Sequence, residues 1–80
     1  MTNEQKQRWI DHLQSINKYK SPRKTQVTEI NKSVRGDYII FCADELSMYR
    51  IAQAYNKTTD DYGYSFNLGT FYVYHNVEEI

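Results

Sequence analysis

Tyr38-Ile39-Ile40-Phe41-Cys42-Ala43 is the longest unbroken apolar run in the chain, and it decides the fold. Six residues with two isoleucines and two aromatics are too few for a helix and suit a strand. Its continuity predicts a central strand buried on both faces. Arg35-Gly36-Asp37 immediately upstream are turn formers, so the segment before them should return as a hairpin partner. That segment, Thr25 to Val34, is rich in Thr, Val and Ile. Thr28, Ile30, Lys32 and Val34 share one phase while Val27 falls on the other, which predicts a half-exposed strand of ambiguous register. Arg35-Gly36-Asp37 also spells an adhesion tripeptide, but a hairpin turn accounts for the same three residue types.

Two helices flank this hairpin. On the N-terminal side, Thr2 and Gln5 have the spacing of a capping box. Trp9, Leu13 and Ile16 recur at i, i+4 and i+7, with Ile10 widening the stripe, so residues 3–19 are expected to form an amphipathic helix ending at Ser21-Pro22. On the C-terminal side, Asp44 is placed to cap a helix over 45–56 whose apolar stripe is Met48, Ile51, Ala52 and Tyr55. After the polar loop 57–61, Tyr62, Tyr64 and Phe66 alternate with small or polar residues. Asn67-Leu68-Gly69-Thr70 makes a turn, and Phe71, Val73, His75 and Val77 alternate with Tyr72 and Tyr74 in a closing strand. The order is α-β-β-α-β-β. It predicts a single α+β domain over residues 1–80, a four-stranded, mainly antiparallel sheet with both helices on one face and the other face left available.

Composition narrows the class. Eighty residues allow one core, burying roughly 60% of the unfolded surface. One cysteine forms no internal disulfide, no apolar run reaches membrane-spanning length, and the N-terminus lacks the apolar segment of a secretory signal. The expectation is a cytoplasmic protein without a membrane partner. Net charge is zero, yet residues 1–40 carry eight Lys/Arg against four Asp/Glu, and residues 41–80 carry two against six. Such a dipole steers encounters with charged partners.

Enzymatic chemistry finds little support, and no cofactor or metal is expected. Cys42 sits in the most apolar segment, where a thiol acts as a small hydrophobe. His12 and His75 lack ligand-spaced partners, Asp60-Asp61 and Glu78-Glu79 read as solvated charge, and the three glycines are isolated rather than gathered in a phosphate loop. Two binding surfaces stand out instead. Eight of the twelve aromatic residues are tyrosines, and Tyr62, Tyr64, Tyr72 and Tyr74 lie close together as candidate partner-binding residues. Tyr is enriched where proteins meet. The basic segment Lys18, Tyr19, Lys20, Arg23 and Lys24 is a candidate nucleic-acid contact, with four cations for phosphates and one ring for stacking. The leading expectation is a non-enzymatic protein that docks on a larger protein or protein–nucleic-acid complex and modulates or inhibits it. Its compositional flavour is that of a phage or mobile-element accessory protein acting on a host enzyme or defence complex. RNA or DNA binding through 18–24 is the second reading. A homo-oligomeric subunit, a homodimer through an exposed edge at the terminal strand 71–77, is the third.

Overall fold

The computed structural model describes residues 1–16 and 23–77. Helix α1 (Asn3–Gln14) is followed by strands β1 (Val27–Lys32) and β2 (Tyr38–Cys42), helix α2 (Glu45–Ala54), and strands β3 (Tyr62–Ser65) and β4 (Thr70–His75). The sheet is antiparallel throughout, with strand order β1-β2-β4-β3. Two local hairpins therefore meet at a β2–β4 seam, and the α+β arrangement expected from the sequence is present.

α1 begins as the capping box requires: Gln5 N–H donates to Thr2 Oγ1 at 3.2 Å, and the Thr2 amide donates to Gln5 Oε1 at 2.9 Å. The helix stops at Gln14, short of the expected residue 19. The Ile16 amide reaches back only three residues, to the Leu13 carbonyl, which tightens the last turn. Residues 17–19 of the expected helix lie outside the described residues. Asp44 caps α2 by accepting from the Ser47 amide at 2.8 Å.

One core cluster joins Trp9 and Leu13 of α1, Met48 and Ile51 of α2, and Val27, Ile30, Ile40, Cys42 and Val73 of the sheet. Both helices thus cover the same face. The register ambiguity of the first strand resolves through a β-bulge between Val27 and Glu29, which lets Val27 and Ile30 both point inward although they differ in parity. α2 also buries two polar groups that apolar periodicity overlooks. Ser47 Oγ accepts from the Gln26 amide at 2.8 Å, and the fully buried Arg50 donates through Nη1 to the Arg23 carbonyl at 2.6 Å and to Thr25 Oγ1 at 3.1 Å. These bonds latch the segment entering β1 onto α2.

Two expectations are corrected. β2 is not buried on both faces: Ile40 and Cys42 are buried, whereas Ile39 and Phe41 are partly exposed, because no layer covers their side of the sheet. Nor does the terminal strand form an edge. β4 lies between β2 and β3, so the edges of the sheet are β1 and β3.

Candidate docking face

Cross-strand neighbours share a face, so the ladder assigns the side opposite the helices. Phe41 pairs with both Glu29 and Tyr72, Tyr72 pairs with Gly63, and Ile39 pairs with Asn31 and Tyr74. Ile39, Phe41, Tyr72 and Tyr74 therefore stand together in the middle of the open face, two from each hairpin. The Tyr72 and Tyr74 rings meet edge to face, 5.4 Å between centroids. Tyr72 leans toward β3, its hydroxyl lying 3.3 Å from where a Cβ on Gly63 would be. The glycine makes room for the ring to lie across the strand.

The β3–β4 hairpin borders this row. Phe66 is 92% exposed and Leu68 61% exposed. With Ile39, Tyr72 and Tyr74 they bound an open concavity of about 460 Å³. A second depression of about 340 Å³, between Phe41, Leu68, Thr70 and the outward residues of β1, continues the trough. At the far end Arg35 places its guanidinium 4.2 Å from the Tyr74 ring centroid and pairs with Asp61 at 3.1 Å and Asp37 at 3.6 Å. The hydrogen bond from Arg35 holds the Asp61 carboxyl below its usual range. The result is an aromatic and aliphatic surface with a charged rim, the anatomy of a protein-binding patch.

Of the four tyrosines singled out from the sequence, Tyr72 and Tyr74 stand on this face and Tyr64 borders its concavity. Tyr62 pairs with core Val73 and meets the Tyr49 ring of α2 at 5.8 Å, so it faces the helix layer. Tyr64 leaves the strand on that same side, its ring 4.9 Å from Phe71 and 5.3 Å from Phe66, and lines the concavity next to Phe66 and Leu68. Sequence reasoning missed Ile39, Phe41, Arg35 and Leu68 as members of the face. The signal was available: with both helices on one side, alternate residues of the apolar run 38–43 have to face the other.

Of the basic segment, Lys18, Tyr19 and Lys20 lie outside the described residues. Arg23 and Lys24 are exposed and precede β1, where the Ala43 amide donates to the Gln26 carbonyl. Arg23 acts electrostatically on Asp44, whose carboxyl is raised by partial burial but is held below its usual range by hydrogen bonds from Ser47 and, less, by Arg23 and Arg50. This places Arg23 and Lys24 at the opposite end of β2 from Arg35, apart from the tyrosine pair.

Of the remaining chemistry-bearing groups Cys42 is buried, His75 is half-buried and His12 is exposed. Burial pushes the Cys42 thiol up to about 12. His12 and His75 sit with their rings 5.6 and 6.1 Å from Trp9, and His75 also stacks on Tyr55 at 4.0 Å. Among the described residues no group of three or more His, Cys, Asp or Glu is placed to hold a metal ion, and no helix is long and apolar enough to cross a membrane. Compared with known proteins, the chain matches no family model, no curated protein and no solved structure.

Proposed function

We propose that the protein is a non-enzymatic binding module that docks the open face of its sheet onto a larger protein and thereby modulates it. The observation that carries this reading is the uncovered row Ile39, Phe41, Tyr72 and Tyr74, continued by Phe66 and Leu68. A sheet face meant only for water would carry polar residues at these positions. Rigid aromatic side chains lose little conformational entropy on docking, and a few such anchors dominate the energetics of many interfaces. Arg35, tied by Asp37 and Asp61, supplies a preorganised polar group at the rim. The biological expectation that goes with the reading is inhibition or modulation of a host enzyme or defence complex by a mobile-element protein acting in the cytoplasm.

The test is site-specific photocrosslinking in cell extract, with benzoylphenylalanine placed at Phe41 or Tyr72 and, as a control, at exposed Arg8 on α1. Both face positions should give the same crosslinked protein, Arg8 should not, and Tyr74→Ala should abolish the product. Equal crosslinking from Arg8, or a product indifferent to Tyr74→Ala, refutes the reading. Titration of labelled RNA and DNA separates the alternative. Binding that weakens steeply with salt and is lost on Lys20→Ala and Arg23→Ala would assign nucleic-acid recognition to the basic segment instead.

A further inference from the structure

The two edges of the sheet are finished differently. At β1, the Ser33 amide donates to the Asp37 carbonyl at 2.9 Å. By the alternation of an antiparallel ladder, this turns the backbone groups of Ile30 and Lys32 outward. The Ile30 amide is then taken by its neighbour's carboxylate, Glu29 Oε1 at 2.9 Å, which Lys6 of α1 pairs at 3.1 Å. Closer to the start of the strand, Gln14 Oε1 of α1 accepts from the Val27 amide at 3.2 Å. A strand edge plugged by a charged side chain and by its own helix resists pairing with another chain.

β3 has no such plug. The Tyr74 amide donates to the Asp61 carbonyl at 2.7 Å, so the same alternation directs Asp61, Gly63 and Ser65 toward β4 and leaves the N–H and C=O of Tyr62 and Tyr64 pointing away from the sheet. Among the described residues no side chain bonds these groups. The segment Tyr62-Gly63-Tyr64-Ser65-Phe66 contains no charge and no proline. Exposed aromatic surface gathers around it: Tyr49 at 40%, Tyr64 at 44% and Phe66 at 92%.

We infer that β3 pairs antiparallel with β3 of a second copy of this chain, forming a two-fold symmetric, continuous eight-stranded sheet. The register that uses the outward groups sets Tyr62 opposite Tyr64 of the second copy, and Tyr64 opposite its Tyr62. Gly63 then faces its own counterpart at the closely spaced, non-hydrogen-bonded rung, where neither residue carries a side chain of its own and only the Tyr72 hydroxyl lies over the strand. Asp61 falls opposite Ser65 and Asp60 opposite Phe66, so no like charges oppose one another. Each rung beside the glycine is an aromatic pair, a stabilising cross-strand combination. Because the other edge is plugged, pairing closes at two copies and does not propagate into a fibre. The three exposed rings offer roughly 350 Å² per copy, taking about 200 Å² for a whole aromatic side chain. That is under half of the roughly 800 Å² per partner in a standard interface, which marks a weak, transient association; a dissociation constant on the order of tens of micromolar is the working value for its test. This association uses the sheet edge; it shares Phe66 and the border residue Tyr64 with the outer-face concavity, whereas Tyr49 belongs to the edge alone.

Sedimentation equilibrium of the whole chain from about 5 to about 500 µM, spanning that constant, tests the inference. The wild type should fit a monomer–dimer equilibrium. Tyr64→Pro, which removes an outward amide, should raise the dissociation constant about tenfold or more, whereas Lys32→Pro, its counterpart on β1, should leave it within about twofold. Tyr49→Lys, on α2 beside β3 and apart from the outer face, should weaken the dimer similarly and decides the matter if Tyr64→Pro fails to fold by circular dichroism. A wild type that stays monomeric throughout, a dimer indifferent to Tyr49→Lys, or one broken as strongly by Lys32→Pro overturns the inference.

Discussion

Ile39 and Ile40 are adjacent, chemically identical and indistinguishable by hydropathy, yet they stand on opposite sides of the sheet. Truncating each to alanine should separate them. Ile40 is fully buried between Ile30 and Val73. Removing three of its carbons forfeits about 2.4 kcal/mol of transfer free energy at about 0.8 kcal/mol per carbon. The unfilled space adds about 1 kcal/mol more, for a total near 3.5 kcal/mol. Ile39 is partly exposed on the open face, so about two-thirds of the transfer free energy is at stake, near 1.6 kcal/mol, and solvent fills the space left behind. The predicted gap of about 2 kcal/mol is large beside a total stability of roughly 4–12 kcal/mol for a domain of this size. At a urea slope of about 1 kcal/mol/M the two midpoints should differ by roughly 2 M. Denaturation followed by Trp9 fluorescence reads this directly. If Ile40→Ala does not fold, the Ile→Val pair should show the same order with smaller effects. Equal losses at the two positions would mean that the face bearing Ile39 is covered, and would remove the ground for the docking surface.

Other consequences follow from particular contacts. Cys42 should resist thiol reagents near pH 8 except through unfolding, and stability should decline above about pH 9, because the unfolded thiol ionises there while the folded one waits until about 12; labelling within seconds in native buffer would contradict this. Glu29, held low first by the Ile30 amide and then by Lys6, and Asp61, held low by Arg35, both have folded values below their unfolded ones. Their contribution is therefore present above the unfolded carboxylate range, near pH 4, and is lost as pH falls through it toward the folded values. Urea midpoints across the acid range should show that decline, and Arg35→Gln should flatten it; an unchanged slope in the variant would count against the Arg35–Asp61 pair. Gly63→Val should displace the Tyr72 ring, whose hydroxyl lies 3.3 Å and nearest ring carbon 3.6 Å from the position of the new Cβ, and erase the Tyr72–Tyr74 proximity in nuclear Overhauser spectra while leaving the core intact. Retention of that proximity would show that the ring does not need the glycine.

The element order was legible because each element carries its own local signal. Thr2 and Gln5 mark one helix start and Asp44 the other, Gly36 and Gly69 mark the two hairpins, and period-two alternation marks β3 and β4. What local signals do not encode is which strands become neighbours. The β2–β4 seam joins residues 29 to 37 apart, so the terminal strand, which looks like an edge, is internal. The same gap blurred the site. Alternation placed Tyr72 and Tyr74 on a face opposite Phe71 and Val73, but only the β3–β4 register shows that Tyr62 and Tyr64 turn toward the helices. The apolar run 38–43 was misread because a strand with one face against the core and an apolar face toward a partner has the same hydropathy as one buried on both sides. Arg50 was invisible for the opposite reason: a charge on a helix reads as solvent-facing until the carbonyl and hydroxyl that receive it are known.

The seam between the hairpins bears on how the chain folds and on what binding does to it. Each hairpin closes over a short loop at little entropic cost, whereas joining β2 to β4 has to bring distant segments together, the slow kind of step. Ile39 and Phe41 come from one hairpin and Tyr72 and Tyr74 from the other, so neither half alone displays the face. A ligand seated across the seam recognises only the assembled sheet. It then acts as a clamp, raising stability with the logarithm of its free concentration, and discriminates the finished fold from any intermediate in which the hairpins have formed but not yet met.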